Sequence, residues 1–152
     1  MLDFLAKRKN SSFPERKPSV SASGNKEFPD GNYLHEVRSA IERMDLYGFA
    51  DVIDIQEELR AGKQAVIQAS VVLVDGSSLH VREYIDAAYG IKKVSYGYHY
   101  QDRHGKLVFR YDNARHKPAL KSKEHKHLSD NSIVEAAAPS ISELVEEVVS
   151  FL

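Results

Sequence analysis

Residues 92–112 read KKVSYGYHYQDRHGKLVFRYD, two runs of alternating polar and apolar residues on either side of the segment DRHG at 102–105. Such alternation is typical of half-buried strands, and a short Gly-containing connection between two of them predicts a β-hairpin. A four-residue loop sets Gln101 opposite Lys106, and the pairing then continues in step along both strands. One face of this hairpin collects large apolar side chains and is predicted to be core: Tyr96, Tyr98, Tyr100, Leu107, Phe109 and Tyr111.

The opposite face of the same hairpin is polar and is a candidate site. Gly97 is predicted to lie opposite Arg110, where its missing side chain leaves room beside the guanidinium for a ligand. The alternative is an ordinary solvated face on which an arginine and an aspartate form a cross-strand pair. The face comprises Ser95, Gly97, His99, Val108, Arg110 and Asp112.

Residues 64–74 and 78–86 form a second predicted hairpin, with an Asp-Gly turn signal between them. A hairpin loop of two or of four residues pairs the even-numbered positions of one strand with the odd-numbered positions of the other, so both lengths give the same two faces. Glu83 is then expected on the face of the even-numbered residues of 64–74, and Arg82 on the other face. A carboxyl group among apolar neighbours suits general acid or base chemistry, whereas the alternative is an ion pair or an exposed carboxylate.

Apolar residues at helical spacing mark both ends of the predicted domain. A first helix, ending before Gly48, is indicated by Leu34, Val37, Ile41 and Met44. A last helix begins with a capping box of Ser140 and Glu143 and continues as the stripe Ile141, Leu144, Val145, Val148, Val149 and Leu152. Residues 50–58 suit a strand or a helix, and the turn at 60–63 favours a strand. We expect an α+β fold, an antiparallel sheet of four to five strands with an N-terminal and a C-terminal helix packed on it.

The length of 152 residues suits one domain. We expect residues 1–31 to be a disordered basic tail and residues 32–152 to form a single domain, because the first segment is rich in Ser, Lys, Asn, Pro and Gly without apolar periodicity. Cysteine is absent, which excludes disulfides and cysteine nucleophiles. Without a signal-peptide pattern or a long apolar run, the expected location is the cytoplasm, away from membranes.

The formal net charge of −1 conceals a strong charge asymmetry along the chain. Residues 92–128 contain ten Lys and Arg against three Asp and Glu, together with five of the seven histidines. Residues 129–152 contain five acidic residues and no Lys or Arg. A basic block of this kind indicates a surface that faces a polyanion, although Lys and Arg also serve simply to keep loops solvated.

The basic block is also rich in groups that could act on a phosphodiester. Imidazoles exchange protons near neutral pH, and Arg or Lys stabilises developing phosphorane charge, which together suit metal-independent RNA cleavage by the 2′-hydroxyl. A metal site is the alternative, because His125 and His127 could meet one ion together with His116 or Asp112. The intervening Lys126 would repel a cation, and no cofactor is expected. A mobile basic loop would also explain the histidines.

Three segments resemble the TumE family of prokaryotic toxins from toxin–antitoxin modules. They are REYIDAAYG at 82–90, YGYHYQDRHGKLVFRYDNARHKP at 96–118 and EHKHL at 124–128, within a similarity that covers roughly residues 50–128. Lys117 and Glu124 stand where the family usually has further histidines. The resemblance implies a toxin acting on nucleic acid or translation, neutralised by a co-encoded and DNA-binding, helix-turn-helix antitoxin. The helix–sheet–helix order is also similar to that of small ribonuclease toxins.

Together these observations predict a metal-independent endoribonuclease toxin with RNA and the antitoxin as partners. The alternatives are a non-catalytic nucleic-acid or protein-binding module and a metal-dependent nuclease. The predicted catalytic residues are Glu83, His99, Arg110, Asp112, His116, His125 and His127. The predicted substrate-binding residues are Tyr84, Asn113, Arg115 and Lys126.

Overall fold

Seven strands and two helices make up residues 31–115 and 123–152, the part of the chain that the computed structural model describes. The α+β class is confirmed, but the expected four to five strands are too few. In chain order the elements are α1 (Gly31–Leu46), β1 (Ala50–Arg60), β2 (Gln64–Leu73), β3 (Ser78–Asp86), β4 (Lys92–Gln101), β5 (Leu107–Asp112), β6 (His125–Leu128), β7 (Ile133–Glu135) and α2 (Ile141–Val149). The predicted tail at 1–31 falls, apart from Gly31, outside the described residues. No helix in the described ranges is long and apolar enough to cross a membrane.

The strands form one antiparallel sheet in which each strand pairs with the next along the chain. Both helices contribute to the same core on one face of this sheet: α1 through Leu34, Val37, Ala40, Ile41 and Met44, and α2 through Ile141, Leu144 and Val148. The predicted capping box at the start of α2 is present, with the Ser140 hydroxyl accepting the Glu143 N–H at 3.1 Å and the Glu143 carboxylate accepting the Ser140 N–H at 2.9 Å. One sheet face is therefore covered by helices, and the other is available for a site.

The two strands that the sequence did not predict are β6 and β7. They have four and three residues, too short to display the alternation from which strands are predicted. Strand β6 pairs with β5 in the register Asp112 to His125 and Arg110 to His127. Residues 125–128, which the sequence predicts as part of a basic loop, thus add a strand to the sheet beside the predicted site.

The predicted parity of the β2–β3 hairpin is wrong. Leu73 and Ser77 flank a loop of three residues, in which Gly76 has a φ of +84°. A three-residue hairpin loop commonly ends with glycine in this left-handed conformation, and its odd length pairs odd with odd positions. Glu83 consequently lies opposite Ile67, on the core face, while His80 lies opposite Ser70 on the other face.

The predicted faces of the β4–β5 hairpin are correct from Phe109 to Asp112, although its register differs by two residues. Leu107, which was predicted to be core, instead pairs with Gln101 and is only half-buried. The loop of this hairpin also has three residues, with Gly105 at a φ of +78°, but a bulge near Tyr100 and Gln101 adds one further residue to β5. The shorter loop and the bulge each move the pairing by one residue. Together they move it by two, so the side chains keep their predicted faces, but His99 rather than Gly97 lies opposite Arg110. Tyrosines 96, 98, 100 and 111 and Phe109 are buried as predicted.

Candidate functional site

The face of the sheet opposite the helices, called here the open face, carries two rows of polar residues that run across the strands. Directly paired residues on neighbouring antiparallel strands point to the same side, so each row follows from the register. The first row is Ser70, His80, His99, Arg110 and His127. The second row, two residues further along each strand, is Gln68, Arg82, Gly97, Asp112 and His125.

Apart from His125 and His127 on β6, the residues of these rows line an open cavity of about 910 Å³. A terminal guanidinium nitrogen of Arg110 lies beside Gly97, since a β-carbon on this glycine would be in ordinary contact with it at 3.9 Å. The glycine therefore leaves a free space between Arg82 on β3 and Arg110, which supports the predicted room for a ligand although the register differs. Two guanidinium groups beside one space suit a phosphate.

Asp112 is the electrostatic centre of the site and is 3% exposed. Its Oδ1 accepts the Ala114 N–H at 3.0 Å and lies 2.8 Å from Nε2 of His125. Its Oδ2 accepts the Nε–H of Arg110 at 2.7 Å and lies 3.4 Å from Nε2 of His127. One carboxylate thus fixes the guanidinium and both imidazoles, which ties the end of β5 to β6.

The two histidines of β6 differ in their exposure. His125 is 1% exposed, and its Nδ1 lies 3.1 Å from the carbonyl oxygen of Lys123, so both ring nitrogens face oxygen atoms. His127 is partly exposed, and the two rings pack edge to face with centroids 4.9 Å apart. The Asp112, His125 and His127 side chains each offer a ligand atom, and these atoms lie within 4.8 Å of one another, a set that suits zinc or another transition metal.

His99 lies near the middle of the first row and is half-buried. Its Nε2 is 3.2 Å from the side-chain oxygen of Gln101. Burial holds the pKa of His99 below its ordinary value; the contact with Gln101 opposes this effect, and the neighbouring Arg110 and His80 lower the pKa further. The ring is therefore neutral at pH 7, the form in which an imidazole accepts a proton.

Glu83 is not brought together with the other predicted catalytic residues, because it lies on the core side of β3. It is fully buried, and its carboxylate accepts hydrogen bonds from the hydroxyls of Tyr33, at 2.5 Å, and Tyr98, with Lys93 Nζ 3.3 Å away. Burial, reinforced by the negative charge of Glu83, raises the pKa of both tyrosines. This arrangement links α1 to β3 and β4 beneath the open face.

Lys126 also lies on the core side, between the two histidines in sequence but opposite to them in space. It pairs with Glu147 of α2 and lies 4.7 Å from the centre of the Tyr111 ring. Burial would lower the pKa of Lys126, but the bonds to Glu147 and Tyr111 outweigh it and raise the pKa. The expected repulsion between this ammonium and a metal held by the histidines is therefore reduced, because the ammonium points to the other face and is paired with Glu147.

The remaining predicted residues lie at the margins of the site. Asn113 lines the cavity and accepts the Tyr96 N–H at 3.1 Å. Tyr84 lies towards the far end of β3 and donates to the side chain of Gln64, while Arg115 is exposed beyond β5. His116 lies outside the described residues.

Sequence reasoning missed several polar residues of the cavity, among them Gln68, His80 and Arg82. The predicted parity put His80 and Arg82 on the face of Ile67 and Val71, which is the core face. The signal that could have found them is Gly76, since a glycine closing the turn also fits a three-residue loop. With that loop, β3 contributes a histidine and an arginine to the same face as His99.

A family model described as Toxin TumE matches residues 38–152. The chain belongs to this toxin family. The match begins within α1 and runs through the whole sheet to α2, so it extends the similarity seen in the strand motifs to both helices. No curated protein and no solved structure matches the chain significantly.

Proposed function

We propose that this toxin is a metal-independent endoribonuclease whose active site is the open face. The observation that carries the proposal is the convergence of His99, Arg110 and Asp112 on one cavity, with His127 beside the Asp112 carboxylate. RNA contains its own nucleophile, the 2′-hydroxyl, so its cleavage requires proton transfer and stabilisation of charge on phosphorus and no metal ion. Histidine and arginine side chains supply these two functions.

The contacts of Asp112 support separate tasks within this site. The 2.7 Å bond to Arg110 orients the guanidinium, whose terminal nitrogens remain directed over Gly97. A planar guanidinium offers paired donors to phosphate oxygens, and Arg110 retains 46% side-chain exposure for that contact. The bond to His125 fixes β6, so His127 is held beside the same carboxylate.

A metal-dependent nuclease is a second candidate function, favoured by the close grouping of Asp112, His125 and His127. A divalent ion held by these side chains would activate water or neutralise charge on the phosphate. In that reaction Asp112, His125 and His127 would act as metal ligands. Chelation therefore discriminates between the two nuclease mechanisms.

The test uses purified protein and an end-labelled single-stranded RNA, with and without EDTA. We expect cleavage in EDTA, its loss in His99→Ala, Arg110→Ala and His127→Ala, and no change in Arg103→Ala, which alters an exposed arginine of the β4–β5 turn. Loss of wild-type cleavage on chelation, restored by added zinc, would support the metal-dependent mechanism. RNA binding without cleavage, weakened gradually by each lost cation, would indicate a non-catalytic binding module.

The family further supports a cognate antitoxin as the physiological partner. We propose that it is a co-encoded helix-turn-helix protein that blocks the open face. Expression of the toxin alone should stop growth, and co-expression of the neighbouring gene should restore it. Growth inhibition that survives loss of His99 and Arg110 would show that toxicity does not come from this site.

A further inference from the structure

His80 and His99 form a pair of imidazoles at the floor of the cavity. They are direct cross-strand partners on β3 and β4, and their ring centroids are 6.4 Å apart. The His80 side chain is exposed, and its Nδ1 lies 3.3 Å from the hydroxyl of Ser70. Neither ring belongs to the group around Asp112, so both can contact a substrate in the cavity.

Cleavage by the 2′-hydroxyl needs two proton-transfer groups at the same phosphodiester. One accepts the proton of the attacking hydroxyl, and the other protonates the departing 5′-oxygen. Each must come within about 3 Å of its oxygen. Two rings with centroids 6.4 Å apart are close enough to contact a single phosphodiester between them.

The other histidines near the cavity fit this second role less well. His125 is buried and contacts Asp112 and the carbonyl of Lys123. His127 lies on β6, two strands away from His99, which corresponds to about 10 Å at the usual spacing between strands. Arg110 occupies the strand between them. His80, only one strand from His99, is the better partner.

We propose that His99 is the general base and His80 the general acid of RNA cleavage, an inference that rests on the proposed function. His99 removes the proton of the 2′-hydroxyl as its oxygen forms a bond to phosphorus. The bond from phosphorus to the 5′-oxygen breaks, and protonated His80 delivers its proton to that oxygen. The products are a 2′,3′-cyclic phosphate and a 5′-hydroxyl, with Arg82 and Arg110 binding the non-bridging oxygens over Gly97.

The surroundings of the two rings agree with this division of roles. His99 is the more buried ring and has Arg110 as a direct neighbour, which favours its neutral form. His80 is the exposed ring, beside the Ser70 hydroxyl, and is accessible to the leaving oxygen of a bound phosphodiester. The buried ring is thus placed to act as the base and the accessible ring as the acid.

The test compares two substrates that differ only in the leaving group: the dinucleotide UpA and uridine 3′-(4-nitrophenyl phosphate). Loss of either proton-transfer group should slow UpA cleavage by about 100-fold or more. Nitrophenolate departs without a proton, so His80→Gln should cleave the aryl ester at nearly the wild-type rate, whereas His99→Gln should remain slow on both. His35→Gln, at an exposed position of α1, is the matched control, and thermal melting checks that each variant is folded.

The possible results distinguish the roles of His80 and His99 from the endoribonuclease activity on which those roles depend. Wild-type protein that cleaves neither substrate refutes both. UpA cleavage that is unaffected in folded His80→Gln refutes the role of His80 and leaves the endoribonuclease proposal standing. If His80→Gln slows cleavage of both substrates equally, His80 is not the general acid. If His99→Gln cleaves the aryl ester at nearly the wild-type rate, His99 is the acid instead of the base.

Discussion

Replacing Asp112 by Asn should lower the free energy of unfolding by about 1.5–3 kcal/mol, the usual contribution of a hydrogen bond to a charged group. The substitution keeps the shape of the side chain but replaces one oxygen by an NH₂ group. In the wild-type protein each carboxylate oxygen of Asp112 faces two nitrogen atoms. In either orientation of the amide, its NH₂ group therefore faces nitrogen atoms that contact a carboxylate oxygen in the wild-type protein.

The structure indicates which contact is sacrificed. Arg110 has 46% side-chain exposure and can turn towards water, whereas His125 is buried beside Oδ1. The amide oxygen should therefore remain with His125 and Ala114, and the NH₂ group should displace the guanidinium. Asp112→Ala removes all four contacts and leaves the buried His125 Nε2 without its carboxylate partner, so it should cost at least as much as Asp112→Asn, about 3 kcal/mol.

Urea unfolding followed by far-ultraviolet circular dichroism measures both variants. Asp54→Asn is the control, because Asp54 is an exposed carboxylate on β1 that accepts only a 3.4 Å bond from Gln56 among its hydrogen bonds in the described part of the chain. It should change stability by less than about 0.5 kcal/mol. If Asp112→Asn were as stable as this control, Asp112 would not hold β5 and β6 together.

Three further predictions concern the core, alkaline stability and the site. Leu144→Asp, at a position with no exposed surface in α2, should cost several kcal/mol and unfold the protein; a folded variant by circular dichroism would contradict the packing of α2 on the sheet. Because the pKa values of Tyr33 and Tyr98 are raised, their contribution to stability should be complete below about pH 10 and fall as pH rises above it. Urea midpoints that stay constant into alkaline solution would contradict this. By NMR, His99 should titrate below about pH 6.5, and Arg110→Gln should raise that midpoint by removing a nearby positive charge; an unchanged midpoint would refute the coupling.

The helices and the five long strands could be predicted because periodicity and local capping determine them. Leu34 to Met44 and the Ser140 capping box each identify their element without information from the rest of the fold. Strands β6 and β7 could not be identified in this way. Their pairing depends on β5 being present beside them, and HKHL alone has no strand pattern.

Loop length and bulges determine which side chains of two paired strands share a face of the sheet. In the β4–β5 hairpin a three-residue loop and a bulge compensate each other, so His99, Arg110 and Asp112 were correctly expected on one face. The β2–β3 hairpin has the same loop length without such a bulge, so every side chain of one strand was matched with the wrong face of the other. That error placed His80 and Arg82 on the core face. The expectation of a functional Glu83 came instead from its apolar neighbours along β3, among which it is buried.

The arrangement of residues around Asp112 could be predicted only in part. Its place beside Arg110 follows from alternation within β5, since the two are separated by one residue. The positions of His125 and His127 depend on the docking of β6 across a segment of the chain, and no local pattern reports such a long-range pairing. The division between buried His125 and accessible His127 likewise emerges only from tertiary packing.

The order of strands in the sheet is also their order of synthesis. As each strand leaves the ribosome, the neighbour with which it pairs has already emerged, so the sheet can grow one strand at a time from contacts that are close in sequence. Helix α2 is the exception, because it is made after the whole sheet and packs against α1, which precedes the sheet. A nascent chain that lacks α2 leaves part of its apolar sheet uncovered. Termination between β7 and α2 should therefore yield an aggregation-prone chain instead of a shortened toxin.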